Sequence, residues 1–239
     1  YQLGETGSPV FNVNNNCSTG SSALMLGTQA VAGGMAECVI VVGFEQMEAG
    51  ALQAKWTDRA NPLDRFVNVM NEEQGFNQAP PAAQMFGGAG REYRWKYGTK
   101  KETFAKIAEK ARNHASNNPY ALYKETYSVE EIMASPIVAD PLRLLHICAT
   151  SDGGAALVLA SMDWARAHGH ANPVRIKAVS TITPTFPNTV IDMPGFSTDS
   201  AAGVPAPERT FKQAIGDAAY AQAGIGPEDI NVAEVYDLS

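Results

Sequence analysis

The chain has 239 residues, 45% of them hydrophobic, and 25 acidic against 18 basic side chains give a formal charge of −7. This is globular composition, enough to bury the core of one large domain or two smaller ones, and the acidic balance argues against a general binder of nucleic-acid phosphates, which needs a basic face. No apolar run approaches the roughly 20 residues that span a bilayer, and Tyr1-Gln2-Leu3-Gly4 has neither the basic nor the apolar part of a secretory leader, so nothing indicates a membrane span or secretion.

In chain order, Pro9 to Val13 reads as a short strand and Ser18 to Ala32 as a helix of small and apolar residues, stopped by Gly33-Gly34. Cys38-Val39-Ile40-Val41-Val42 follows as a continuous apolar strand. A run without polar alternation predicts a parallel strand covered on both faces, so strand, helix and strand form a βαβ unit of α/β class. From about Ala49 to Arg143 the texture changes. Trp56, Pro62, Pro80-Pro81 and Gly87-Gly88 punctuate it, while Ala82 to Tyr97 and Lys101 to Ser116 carry helical spacing, which predicts a helical insertion. Gly154 to Ala160 then resumes a buried strand, Met162 to His168 a short helix and Val174 to Ser180 another strand. Asn188 to Pro207, rich in Pro, Gly, Ser and Thr, reads as a loop before a helix from Glu208 to Ala223 and a last strand from Val232 to Tyr236.

The three cysteines, Cys17, Cys38 and Cys148, are odd in number, with no CxxC and no Cys/His cluster at metal spacing. Neither a disulfide framework nor a metal site is indicated, and a reducing compartment is expected. Cys17 stands where the first helix starts. A thiol attacks as its thiolate, and a helix N-terminus favours negative charge; the small residues Ser18, Thr19, Gly20 and Ser21 leave room for a substrate at the sulfur. Two readings stand on the local pattern, a strand-to-helix nucleophile or a small buried hydrophobe. Cys38, inside the apolar strand, fits the second.

The run VNNNCSTGSSALMLGTQAVAGGMAECVIVVGFEQM over residues 13–47 resembles the active-site strand, helix and following strand of thiolases of the sterol-carrier-protein, or lipid-transfer-protein, type. AAQMFGGAGREYRWKYGT resembles the loop-domain helix of that subfamily and ICATSDGGAALVLAS its return strand, so the resemblance spans essentially the whole chain. It implies a thiolase fold, layered α-β-α-β-α, built of two related βαβ halves with a mainly helical loop domain inserted in the first. On that reading residues 1–48 begin the N-terminal half, 49–145 form the loop domain, 146–171 return to the N-terminal half and 172–239 open the C-terminal half. The family carries a further strand and helix ahead of this segment, so the chain resembles an internal fragment.

What the resemblance implies for chemistry is a nucleophilic Cys17 that takes an acyl group from a 3-oxoacyl-CoA and passes it to free coenzyme A, a co-substrate, with no tightly bound cofactor and no metal. The subfamily carries a His-Asp-Cys-Phe motif where this chain has Tyr236-Asp237-Leu238-Ser239. A phenol is a neutral hydrogen-bond donor at pH 7. Tyr236 therefore has three readings: a donor to a thioester carbonyl, an acid or base toward a hydroxyl group as in thiolase-like retro-aldolases, or a packing aromatic. The family's later Gly-His-Pro and second cysteine motifs are absent, and His114, His146, His168 and His170 lie in no such motif, so solvated or capping roles are expected of them.

Met85 and Phe86 match loop-domain positions facing the acyl channel, although such residues at helical spacing also serve as core. Arg91, Arg94, Lys96, Lys100 and Lys101 form the densest basic cluster, suited to docking the phosphates of coenzyme A or to a solvated helix face. Glu45 and Asp152 read as structural residues beside turns, and Asn14, Asn15 and Asn16 as side chains that fix the loop before Cys17. The expected function is acyl transfer on a large or branched acyl-CoA, a sterol side chain among them. The rivals are a retro-aldolase acting on a 3-hydroxyacyl-CoA through Tyr236 and a non-catalytic acyl-CoA-binding subunit. A homodimer or a hetero-oligomer with a small partner protein is expected, in the cytoplasm or, in a eukaryote, the peroxisome.

Overall fold

The computed structural model describes residue 4 and residues 6–50, 56–61, 64–182 and 211–236. They fall into two compact units: the described residues of Tyr1–Glu45, Asp152–Ile182 and Ala214–Asp229 form the first, and the rest, chiefly Gln46–Ser151, the second.

In the first unit, helix α1 (Thr19–Ala32) leads to strand β1 (Cys38–Glu45). Gly34 turns the chain out of the helix at φ +69, a backbone angle that glycine adopts freely. The Gly33 and Gly34 N–H groups donate to the Gln29 and Val31 carbonyls, which closes the last turn. The partner of β1 comes from the far side of the second unit in sequence, strand β4 (Gly153–Ala160), in register from Cys38 opposite Ala160 to Glu45 opposite Gly153. The pair is antiparallel, which corrects the expected parallel arrangement: an apolar run reports burial and carries no information about direction.

The helix α1 covers one face of this ribbon. A Cβ at Gly27 would stand 3.0 Å from Leu159 and Val41 and 3.4 Å from Val39, so the missing side chain lets α1 settle against the sheet. The other face is open: Ile40, Phe44 and Val158 are exposed, Phe44 by 83%. The expectation of a strand covered on both faces is therefore met on one face only within the described residues. Helix α6 (Met162–Ala167) follows β4, capped by the Ser161 hydroxyl, which accepts the Trp164 N–H at 3.1 Å. Helix α7 (Phe211–Ala223) is tied to the segment near Val179, whose N–H donates to Gln222 Oε1 at 3.0 Å.

Three expected strands are not strands. Residues 9–13, 174–180 and 232–236 have no ladder partner among the described residues, and an apolar stretch becomes a strand only where a neighbour satisfies its N–H and C=O groups. The expected loop Asn188 to Pro207 lies outside the described residues.

The second unit is mainly helical: α2 (Asp64–Gln74), α3 (Pro81–Tyr97), α4 (Lys101–Ala115) and α5 (Val129–Ala134). A small hairpin joins β2 (Ile137–Ala139) to β3 (Leu142–Arg143), and a 3₁₀ turn follows at Leu144–His146. Pro81 starts α3, where its missing N–H costs nothing, and Gly98, at φ +65, ends it with its N–H on the Arg94 carbonyl. Ser128 and Glu131 form a reciprocal capping box at α5. Met70, Ala105, Ile132, Ala139 and Leu142 are buried in this unit.

Candidate active site at the start of the first helix

Ser18 stands at the cap position of α1, yet among the described residues no side chain caps the helix. The turn before it is held differently. The Asn15 carbonyl accepts the Ser18 N–H at 2.9 Å and the Asn16 carbonyl accepts the Thr19 N–H at 3.1 Å. The Thr19 hydroxyl then accepts the Asn15 N–H at 2.8 Å and donates to the Asn16 carbonyl at 2.7 Å. The Asn15 amide Nδ2 donates to Ser22 Oγ at 3.0 Å; Ser22 is a buried residue in the first full turn of the helix.

Asn16 sits at φ +46, the single positive φ outside glycine among the described residues. Asparagine enters this left-handed region more readily than other residues, at a cost of roughly 1–2 kcal/mol. Cys17, the next residue, is exposed. A Cβ at Gly20 would meet nothing within 4 Å, so the first turn beside it is open. The arrangement presents an accessible thiol at an uncapped helix start, where the macrodipole favours an anionic oxygen on a substrate.

The other candidate residues lie in the second unit. Met85, 8% exposed, packs with Met70, Phe86 and Ala89 where α2 meets α3. Tyr236 is 77% exposed, beyond a 3₁₀ turn at Pro227–Asp229. Of the basic cluster, Arg91 donates to the Asp140 carbonyl at 2.6 Å, Lys101 pairs with the Asp140 carboxylate at 2.6 Å and Arg94 donates to the Thr99 carbonyl at 3.1 Å. These three cations brace α3, α4 and the hairpin turn. Lys96 lies over the Tyr97 ring at 5.3 Å.

Of the two roles expected of His146, capping and solvated, the structure shows the first: its Nδ1 accepts the N–H of Arg143, the residue that caps the 3₁₀ turn, at 2.9 Å, while the ring is buried at 7% exposure. The neutral ring therefore carries its proton on Nε2, which has no partner among the described residues. Burial, and secondarily the nearby Arg143 cation, hold its pKa below the usual imidazole value. His146 lines a cleft of about 290 Å³ with Ile107, Ala111, Leu122, Tyr123 and Cys148. The signal available in the sequence is its apolar surround, Leu144-Leu145-His146-Ile147. His114 is exposed in the last turn of α4, and His168 stacks on Trp164 with ring centroids 3.8 Å apart. Among the described residues no three His, Cys, Asp or Glu side chains gather as a metal site, and no helix is long and apolar enough to cross a membrane.

Comparison with known proteins bears on this site as a whole. Sterol carrier protein 2 of Oryctolagus cuniculus is 43% identical over 99% of this chain, and the same-named protein of Homo sapiens 41%. Benzoylsuccinyl-CoA thiolase subunit BbsB of Thauera aromatica is 31% identical over 96% of the chain. The chain spans 42% of the length of the two sterol carrier proteins and 54% of BbsB. Among solved structures, the Ltp2-ChsH2(DUF35) aldolase superposes with a TM-score of 0.66, covering 91% of this chain and 52% of its own at 24% identity, a likeness of fold. The family described as "Thiolase, N-terminal domain" matches residues 3–163, which contain Cys17, α1, β1, the helical insertion and β4. The chain belongs to the thiolase family and carries the α/β thiolase fold of the sterol-carrier-protein type.

Proposed function

We propose that the protein bearing this chain is an acyl-CoA enzyme that works through an acylated Cys17. The observation that carries the reading is the accessible thiol at the start of an uncapped helix, on a turn held in a left-handed conformation. The Cys17 thiolate adds to the C3 carbonyl of a 3-oxoacyl-CoA. The C2–C3 bond breaks, its electron pair passing to C2 as an enolate that takes a proton and leaves as a short acyl-CoA. The acyl group stays on sulfur as a thioester. The thiolate of free coenzyme A then adds to that carbonyl and displaces Cys17. Exchange between thioesters is nearly isoenergetic, so one hard carbon–carbon cleavage becomes two accessible steps, and the enolate needs hydrogen-bond donors placed for it.

Likeness to proteins named sterol carrier protein 2 supports a large lipid or sterol acyl chain as substrate, with Met85 and Phe86 toward the acyl channel. Likeness to a protein named as a thiolase subunit supports assembly, as a homodimer or with a small partner protein. Coenzyme A is co-substrate, and the compartment is the cytoplasm or, in a eukaryote, the peroxisome.

A second reading keeps the fold and changes the reaction: Tyr236 acts as acid or base on a 3-hydroxyacyl-CoA in a retro-aldol cleavage. What favours it is an exposed phenol where the resembled motif has histidine. The test is the intact mass of the full-length protein before and after brief incubation with a 3-oxoacyl-CoA, with Cys17→Ala alongside. An acyl adduct that vanishes in the variant supports thiolysis. Absence of any adduct, with cleavage of a 3-hydroxyacyl-CoA that survives Cys17→Ala, moves the assignment to aldol chemistry; saturable binding without turnover of either substrate leaves a binding subunit.

A further inference from the structure

We propose that Thr19 is a positioning residue for the Cys17 thiol, a role that rests on the reading of Cys17 as nucleophile. Its hydroxyl has one proton and two lone pairs, and two of these capacities are used on the residues just ahead of the cysteine. It accepts the Asn15 N–H at 2.8 Å and donates to the Asn16 carbonyl at 2.7 Å, both at full hydrogen-bond distance. The same carbonyl also accepts the Thr19 backbone N–H at 3.1 Å. Thr19 thus reaches across Cys17 from the helix side and grips the chain ahead of it three times.

The Asn16 carbonyl belongs to the peptide plane that delivers the Cys17 nitrogen. That plane is held at its carbonyl, and the plane after Cys17 is held by the Ser18 N–H on the Asn15 carbonyl at 2.9 Å, so both peptide planes flanking the Cys17 Cα are tied and the direction of its Cα–Cβ bond is confined. Asn16 at φ +46 is the part of this turn that would relax if released, since such conformations persist where the surroundings over-determine them. Asn15 adds a second tie, from its amide to Ser22 in the helix. The γ-methyl of threonine restricts χ1, so the hydroxyl is held on its two partners with little side-chain freedom left to lose. Thr19 does not act on substrate. It keeps the sulfur in one direction at the helix start.

The experiment uses the full-length protein as parent, Thr19→Val, which keeps the shape and removes the hydroxyl, Thr19→Ser, which keeps the hydroxyl, and Cys17→Ala. Turnover is followed with 3-oxodecanoyl-CoA, and alkylation by iodoacetamide at pH 7 is followed by peptide mass, with the exposed Cys148 as internal reference. Thr19→Val is expected to lower kcat by roughly 10–100-fold with KM within about twofold, the size of effect a misplaced reacting group produces. The Cys17 to Cys148 alkylation ratio should fall at least about threefold, because the released sulfur no longer keeps one accessible orientation. Thr19→Ser should restore both. An unchanged alkylation ratio in Thr19→Val overturns the proposal whatever turnover does, and so does failure of Thr19→Ser to restore the ratio. A Thr19→Val kcat within about twofold of the parent, with Cys17→Ala inactive, also overturns it. If Cys17→Ala keeps full turnover, the acyl-transfer reading fails on its own account, and the alkylation ratio still decides the role of Thr19.

Discussion

Replacing Gly87 in α3 with alanine puts a methyl carbon 2.5 Å from the Ala139 carbonyl oxygen and 2.9 Å from the Ala139 Cβ. Neither atom is the end of a flexible side chain. Ala139 ends β2, and the next residue is held twice, by Arg91 on the Asp140 carbonyl and by Lys101 on its carboxylate. The hairpin therefore cannot yield cheaply, and overpacking of this kind costs about 1–3 kcal/mol. Alanine returns up to about 1 kcal/mol of helix propensity. The net expectation is a loss of about 1–2 kcal/mol, or about 2–8 °C in Tm for a chain of this size. Gly216 in α7 is the control, since a Cβ there meets nothing within 4 Å; Gly216→Ala should gain about 0.5–1 kcal/mol. Urea and thermal unfolding followed by circular dichroism measure both. A Gly87→Ala protein as stable as its parent would refute the close approach of α3 to the hairpin.

Asn16→Gly should preserve stability and adduct formation, because glycine accepts a positive φ freely, whereas Asn16→Val should cost about 2 kcal/mol and lower the yield of acyl adduct; urea midpoints and intact mass read the two effects. His146 has a native pKa below its unfolded value near 6.5, so the unfolded chain binds the extra proton, and stability should fall as pH drops below about 6.5, by at most about 1.4 kcal/mol per pH unit, until the native ring also titrates. His146→Asn, which still offers an acceptor to the Arg143 N–H, should flatten that slope at pH values below about 6.5 in urea titrations at stepped pH. Asp140→Asn breaks the half-exposed pair with Lys101 and should cost about 0.5–1 kcal/mol, with the difference from the parent shrinking at about 1 M salt; equal losses at low and high salt would mean the carboxylate acts through something other than charge.

The helices are the legible part of the fold where local chemistry marks both ends. α3 runs from Pro81 to Tyr97 between a proline and Gly98, and α1 stops at the glycine pair where the sequence predicts its end. α2 goes unpredicted although Asn61-Pro62 before it and the spacing of Val67 and Met70 are helix-start signals; the Asn61 N–H in fact donates to Asp64 Oδ2 at 2.8 Å. α5 goes unpredicted although Ser128-Val129-Glu130-Glu131 spells a capping box. α2 lies in a stretch whose prolines and glycines dominate its local pattern, whereas α5, six residues long, is too short for a helical period to show. The strands fail for a different reason. β1 and β4 are visible as apolar runs, but the partner and direction of a strand are decided by residues far away. Cys38 meets Ala160, and Glu45 meets Gly153, across the whole helical insertion, and no local pattern encodes that pairing.

At the site, the position of Cys17 is legible because residue type and helix start coincide, and the role of the asparagines as loop ties is half legible: the Asn15 side chain holds Ser22 and the Asn14 side chain accepts the Asn16 N–H at 3.3 Å. The left-handed Asn16 and the grip of the Thr19 hydroxyl are not, because backbone angle and hydroxyl direction are settled only when the turn closes. The open face of β1 joins the two scales. Ile40, Val42 and Phe44 are as apolar as Val39 and Val41 on the face that α1 covers. The composition of the strand thus records two covering layers, and the described residues supply one. A sequence pattern reports the environment for which a strand is suited, so a mismatch between pattern and exposure locates a face whose burial is settled by something other than the elements beside it. On the same reasoning, a polar substitution at Phe44 should leave the α1–β1–β4 packing intact, while one at Val41, under α1, should break it, an outcome that urea midpoints of Phe44→Ser and Val41→Ser would separate.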